Sequence, residues 1–282
     1  ALSAGKHVYC EKPLAPTSAD TAEMFAATRG AGVVTQVGFN YLCNPIMLLA
    51  RDMIASGELG DIVGYHGIHA EEYMMDREKP WSFRFEPAGG GALADIGSHA
   101  LATAEFLLGP IAKVFGDCRT IYPTRPGPDG APREVVIDDL TNALIEFERG
   151  CCGTITANWL AAGETMSHDF KVIGSKGAIT FTQERLNEMR YHSADDPAGR
   201  RGFRTIVAGP DHPPYANFCI APGHQIGFNE MKAIEVKGFL DAIAGDINEP
   251  FGFDKGHRIQ LIVDTIRASS NAKAWMPIPA AA

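Results

Sequence analysis

The stretch KHVYCEKPLAPTSADTAEMFAATRGAGVVTQVGF, residues 6–39, decides the fold. Lys6–Cys10 reads as a short strand, entered from a helix end that Gly5 caps. Thr17 or Ser18 then caps a helix carrying Ala22, Phe25 and Ala26 on one face, and Gly30 and Gly32 stop it. Val33–Phe39 is a second apolar strand. Strand, helix and strand over this length form a βαβ unit, with parallel strands and a right-handed crossover. Half of a doubly wound sheet cannot bury both of its faces. The remainder is expected elsewhere in the chain or ahead of Ala1, because the sequence opens Ala-Leu-Ser-Ala-Gly, without Met, as if inside a helix.

Working outward, Asn44-Pro45 is a helix start, a capping side chain followed by Pro at the first helical position. Ile46, Leu49, Ala50, Met53 and Ile54 follow on one face, and Gly57 ends the helix. Asp61–Tyr73 reads as a strand, and Gly89-Gly90-Gly91 introduces a helix from about Leu93 to Leu108. Beyond it come long alternating segments around Val114–Ile121, Thr141–Phe147, Cys152–Leu160 and Phe170–Phe181, with turns at 148–150 and 174–177. That pattern predicts an open, mostly antiparallel sheet backed by helices. Residues 193–224 are too long for a plain connection and are expected to be a functional excursion near the site. Two helices close the chain, one carrying Val236, Phe239, Leu240 and Ile243, the other Ile259, Ile262, Val263 and Ile266. The fold class is therefore α/β plus α+β, divided at residues 1–42 and 43–282.

Composition excludes several functions. The chain of 282 residues is 45% hydrophobic and 21% charged, with a net charge of −9. No basic block is present of the kind that binds nucleic acid or anionic lipid. No apolar run approaches the roughly 18 residues of a membrane helix, so no membrane span is expected. The six cysteines include no Cys-x-x-Cys pair. They predict free thiols and a cytoplasmic location rather than zinc or a disulfide framework.

Three residues stand out for chemistry. Lys12 lies directly after a strand, where ligands of α/β sheets gather, so it is either a residue aimed at the site or a solvated loop lysine. Asp95 and His99 are four apart near a helix start and share a face. They are either a tuned general base with its carboxylate or a pair that ties the helix. His66 and His69, three apart on a strand, point to opposite faces, and no metal site is expected. Trp81 to Arg84 is a candidate aromatic and cationic lip over a polyol. Trp159 and His224 are further candidates for substrate contact.

Together these residues resemble a known family. Gly5-Lys6-His7-Val8-Tyr9-Cys10-Glu11-Lys12-Pro13-Leu14 is similar to the strand and loop of the glucose–fructose oxidoreductase / inositol dehydrogenase / rhizopine catabolism (Gfo/Idh/MocA) family. Gly38-Phe39-Asn40-Tyr41 with Pro45 is similar to its next strand and helix. Gly89 to His99 resembles its second-domain active-site helix, and Phe253 to Trp275 its closing helix. The resemblance covers essentially the whole chain, and the stretch 200–213 is similar to the levoglucosan dehydrogenase-like branch.

The resemblance implies the C-terminal remnant of a Rossmann domain, then a substrate domain. It implies a dehydrogenase moving hydride from a ring hydroxyl of a sugar, anhydro-sugar or cyclitol to NAD or NADP, NAD being favoured. Glu11, Lys12, Pro13 and Asn40 would lie against the cofactor. Lys12 would bond the reacting hydroxyl, His99 would take its proton, and Asp95 would position both. The family's Gly-rich phosphate loop is not found in these residues, and Leu42 and Cys43 stand where many members have Arg. The same scaffold also serves non-catalytic sensors and redox-neutral enzymes such as epimerases and glycosidases. An open, broadly apolar sheet face predicts a homodimer or homotetramer.

Overall fold

The computed structural model describes residues 1–245 and 250–280. The first unit is β1 (Val8–Glu11), α1 (Ser18–Ala26) and β2 (Thr35–Gly38). β1 and β2 pair in parallel from Val8 opposite Thr35 to Glu11 opposite Gly38, which is the expected βαβ unit. Thr17 caps α1 by accepting the Asp20 N–H. The inward residue of α1 is Thr21, with Ala22 and Phe25 half-buried and Ala26 exposed. The rotation from the expected face follows from a hydrogen bond, since Thr21 Oγ1 lies 2.8 Å from His257 Nδ1.

α2 (Pro45–Ala55) starts as the sequence predicts, the Asn44 side chain accepting the Ile46 N–H at 2.9 Å. The remaining elements are β3 (Ile62–Ala70), α3 (Ser98–Leu108), β4 (Ile111–Arg119), β5 (Thr124–Pro126), β6 (Pro132–Glu134), β7 (Leu140–Phe147), β8 (Cys152–Asn158), β9 (Ser167–Gly174), β10 (Gly177–Thr182), β11 (Glu188–Ser193), β12 (Arg204–Val207), α4 (Phe228–Ala244), α5 (Phe253–Ala272) and β13 (Met276–Pro277). Nine of the strands form one sheet in the order β12-β11-β10-β9-β3-β8-β7-β4-β13. Every pairing in it is antiparallel except β3 with β8. α3 and α5 cover one face with an aliphatic core that includes Leu101, Ile145, Ile155, Ile262 and Ile266.

α5 ties the small sheet to the large one. Ser18 N–H bonds Asp264 and Gln260 bonds the Pro16 carbonyl on one side, at 2.9 and 3.2 Å. On the other side, Ser269 and Ser270 accept the Gly116 and Cys118 N–H groups of β4 at 3.0 and 2.9 Å. Ile259, Ile262, Val263 and Ile266 are buried as expected.

Four expectations are corrected. In α4 the buried residues are Met231 and Glu235, while Val236 and Leu240 are exposed. The Tyr9 hydroxyl donates to Glu235 at 2.6 Å, and this bond turns a polar residue inward against apolar periodicity. The open sheet face is of mixed polarity rather than broadly apolar, presenting His66, Thr154, Thr156, Lys171, Thr180 and Arg190 around a hollow of about 600 Å³. Residues 193–224 add β12 to the sheet edge and otherwise make short turns around the buried Tyr215, and they contribute nothing to the cleft described below. Trp159 is wholly buried among Met74, Phe85, Ile96, Val135 and Ile137, and its Nε1–H donates to Asp139 Oδ1 at 2.7 Å. It is a core residue, so no substrate can reach it.

Among the described residues no helix is long and apolar enough to cross a membrane. All six cysteines are free thiols. Trp159→Phe leaves the buried Asp139 oxygen without its donor. The expected result is a loss of about 1–3 kcal/mol of stability in a urea titration.

Candidate active site

Lys12 follows the last residue of β1 and Asn40 lies two beyond β2, so both occupy the carboxyl edge of the parallel pair. The Lys12–Pro13 peptide bond is cis. Against this edge lies a π-helical turn, Leu93–Gly97, that runs directly into α3. The sequence predicts one regular helix here. The difference arises where the Asp138 carboxylate takes the Leu93 N–H at 2.7 Å and the turn is pressed onto β8, a Cβ on Gly97 falling 2.9 Å from that of Ala157. Such π turns recur at functional sites.

The three glycines before this turn explain how distant segments meet there. Gly91 has φ +101°, and a Cβ on it would fall 2.3 Å from Asp138 Oδ1. A Cβ on Gly90 would lie 2.5 Å from the Arg84 carbonyl, which the Gly91 N–H bonds at 3.0 Å. Gly89 packs onto Pro16 in the loop that carries Lys12. A side chain at any of them would push one of these segments away.

The segments converge on Asp95. Lys12 Nζ donates to the Asp95 carbonyl at 2.7 Å and to Oδ1 at 3.0 Å. Arg84 Nε and the Tyr73 hydroxyl both donate to Oδ2, at 2.7 and 2.8 Å. Burial by itself would raise the carboxyl, but Lys12, Arg84 and Tyr73 overcome it and hold Asp95 down at about 2. Both Asp95 oxygens are thus engaged by Lys12, Tyr73 and Arg84. His99 is seated instead by rings, with Phe39, Tyr41, His69 and His168 around it at centroid distances of 5.4, 4.7, 5.6 and 6.0 Å. Burial, and then the charge of Lys12, lower its proton affinity well below the usual histidine range. It is a neutral imidazole facing a cation across one cleft.

That cleft, of about 460 Å³, is lined by Lys12, Asp95 and His99 together with Glu11, Asn40 and Arg84. Six sequence candidates therefore share one cavity. Pro13 sits in the loop beside it. Trp81 does not line it: the indole bonds Glu86 at 2.7 Å and stacks under Arg133, away from any lip. His224 is exposed in the loop ahead of α4 and also lies outside the lining. His66 faces the open side of the sheet while His69 is buried on the helix side. Among the described residues no cluster of three or more His, Cys, Asp or Glu is arranged to hold a metal ion.

Sequence reasoning missed Glu71, Tyr73, Tyr41, Phe228 and Lys232, which also line the cleft. Glu71 and Tyr73 had a usable signal, since they lie just past the carboxyl end of β3, as Lys12 does for β1. Lys232 comes from α4 and bonds Glu11 at 2.9 Å, a contact no local spacing announces. The Asn40 Nδ2 group is buried without a partner, so the cleft holds an unsatisfied amide donor beside Lys12.

Comparison with known proteins gives the family. Residues 1–39 match the oxidoreductase family, NAD-binding Rossmann fold, and residues 47–180 match the GFO/IDH/MocA C-terminal domain. The levoglucosan dehydrogenase of Pseudarthrobacter phenanthrenivorans is 34% identical over 99% of this chain and 75% of its own length. A levoglucosan dehydrogenase structure in complex with NADH and levoglucosan superposes with a TM-score of 0.94 at 35% identity, over 99% of this chain and 76% of that one. An NAD-binding oxidoreductase from Klebsiella pneumoniae gives a TM-score of 0.94 at 38% identity, over 99% of this chain and 75% of that one. With both parts of the chain matched in order and its site residues gathered in one cleft, the chain belongs to the Gfo/Idh/MocA oxidoreductase family.

Proposed function

We propose that the chain oxidises a ring hydroxyl of a sugar, anhydro-sugar or cyclitol with NAD, using Lys12, Asp95 and His99. One observation carries this: Lys12 Nζ, held 3.0 Å from Asp95 Oδ1, opens on the same cleft as the neutral His99 ring. A hydroxyl between them meets a cation that stabilises developing alkoxide charge and a base that accepts its proton. Asp95 is the positioning residue for Lys12, and Arg84 and Tyr73 hold Asp95. The polar rim of Glu71, Tyr73 and Arg84 suits a polyol. Levoglucosan dehydrogenase structures with NADH and levoglucosan, or NADH and L-sorbose, support a pyranose-like ring.

The residues fit the nicotinamide end of NAD. Glu11, Lys12, Pro13 and Asn40 would hold it, and the orphaned Asn40 amide suits a carboxamide or ribose oxygen. When bound, that ring takes the hydride from the substrate carbon. The division at residues 1–42 and 43–282 then separates cofactor-facing from substrate-facing segments. A second copy of the chain would sit on the sheet face that no helix covers.

Nicotinamide reduction followed by absorbance across sugars, anhydro-sugars and inositols tests the reading. Turnover is expected, and binding without reduction would replace it with a sensor or a redox-neutral enzyme. Lys12→Ala and His99→Ala are expected to lower turnover by about a hundred- to ten-thousandfold with the circular dichroism spectrum intact. Asp95→Asn should lower kcat by about a hundredfold, because Lys12 keeps its carbonyl partner but loses the negative charge that holds it in place. With its carboxyl near 2, Asp95 should add no limb to a pH–rate profile in the neutral range. Sedimentation equilibrium should give a dimer or tetramer, and the mass of a single chain would remove the second copy.

A further inference from the structure

Behind the cleft runs a hydrogen-bonded string that the reaction described above does not use. Glu71, one residue past β3, places Oε1 2.9 Å from His69 Nε2. His69 Nδ1 lies 3.2 Å from His168 Nδ1, and His168 Nε2 lies 3.0 Å from Thr103 Oγ1. His69, His168 and Thr103 are each only 1% exposed, so no bulk water serves them. Glu71 and the edge of His69 open on the cleft, beside Lys12, Asp95 and His99.

We propose that Glu71 is the resting place of the proton released when the hydroxyl is oxidised, and that the string of His69, His168 and Thr103 orients Glu71 and keeps its Oε1 paired while the other oxygen takes and returns that proton. This rests on the dehydrogenase reading. The substrate O–H and C–H bonds break as C=O forms. The C–H electron pair leaves as the hydride that NAD accepts, and the hydroxyl proton, taken first by His99 and passed across the cleft that both line, ends as a new O–H bond on Glu71.

The chemistry of the string allows this without charging a buried ring. Only one hydrogen fits between the two facing Nδ1 atoms, so the tautomers of the two rings are locked together. With Glu71 ionised, His69 Nε2–H donates to the carboxylate, His168 Nδ1–H donates to His69, and the Thr103 hydroxyl donates to His168 Nε2. When the substrate proton bonds the other oxygen of Glu71, Oε1 keeps accepting from His69 Nε2–H and the string holds its direction. The two states differ only by the proton on Glu71, and both rings stay neutral.

The alternative stores are poor. Burial, reinforced by Lys12, lowers His69 to about 3, and burial together with His69 lowers His168 well below the usual range. His99 is likewise depressed, so it can pass a proton on but not keep it. Glu71 differs. Burial and then the negative Asp95 push its carboxyl up to about 7, against the opposing pull of Lys12 and Arg84. The remaining groups that face it are Tyr41, whose hydroxyl its charge helps to keep protonated, and Tyr73, which is held by Asp95. The sign follows directly: above about 7 Glu71 is an empty acceptor and oxidation is favoured, and below it the acceptor is filled.

Glu71→Gln keeps the shape and the acceptor for His69 but cannot gain a proton. In the wild type, an infrared titration is expected to reveal a protonated-carboxyl band that disappears as pH rises through about 7, and the variant should lack it. The oxidation kcat/KM of the wild type should climb through the same pH and level off. Glu71→Gln should lose that limb and fall about a hundredfold on the plateau. His168→Asn, which cuts the string and keeps Glu71, should displace the limb. A band or a limb that persists unchanged in Glu71→Gln overturns the proposal alone, leaving Lys12 and His99 untouched. A wild type silent on every sugar with cofactor bound overturns the dehydrogenase reading and takes this proposal with it.

Discussion

The carboxylate of Asp95 is where the chain's separate pieces are joined, and the rest of the cleft depends on it. Lys12 comes from the loop after β1, Tyr73 from beyond β3, Arg84 from the turn before the triple glycine, and each reaches one of its two oxygens. Three donors on one carboxylate do more than offset the cost of burying it, which is why it stays ionised where burial alone would favour protonation. The backbone makes this junction possible. Gly89, Gly90 and Gly91 let the Pro16 loop, the Arg84 turn and Asp138 approach closer than any Cβ would allow.

The cleft thus has two electrostatic halves. On one side a network of full charges is neutralised by fixed partners. On the other, His99, His69 and His168 pack against Tyr41 in a buried cluster where a positive ring is disfavoured. In the proposed reaction this division puts the stabilising cation and the proton acceptor on opposite walls. A cation stands on one wall and a neutral ring on the other, because burial and the charge of Lys12 itself keep the ring unprotonated.

The scaffold holds these halves in register through α5, whose side chains bond the first βαβ unit on one side and β4 on the other. α4 adds a second tie, through Glu235 to Tyr9 and Lys232 to Glu11. Apart from the exposed Glu11, both ties use polar groups at buried or half-buried positions. They therefore fix rotation and register as well as adding contact area.

Local patterning made much of this legible in the sequence. Strand alternation, the Asn44-Pro45 helix start and the Gly174–Gly177 hairpin act over a few residues, and the backbone obeys them where predicted. Lys12, Asp95 and His99 could be singled out because strand ends and helix starts are where polar groups are presented. The rotation of α4, the π turn, the burial of Trp159 and the presence of Glu71, Tyr73 and Lys232 in the cleft were decided only by the tertiary structure. Each depends on a partner far along the chain, such as Asp138 for the π turn, Asp139 for Trp159 and Tyr9 for Glu235. Periodicity reports which face is apolar, but a buried hydrogen bond outweighs it where the two conflict, and the partner of that bond is visible only once the chain has folded.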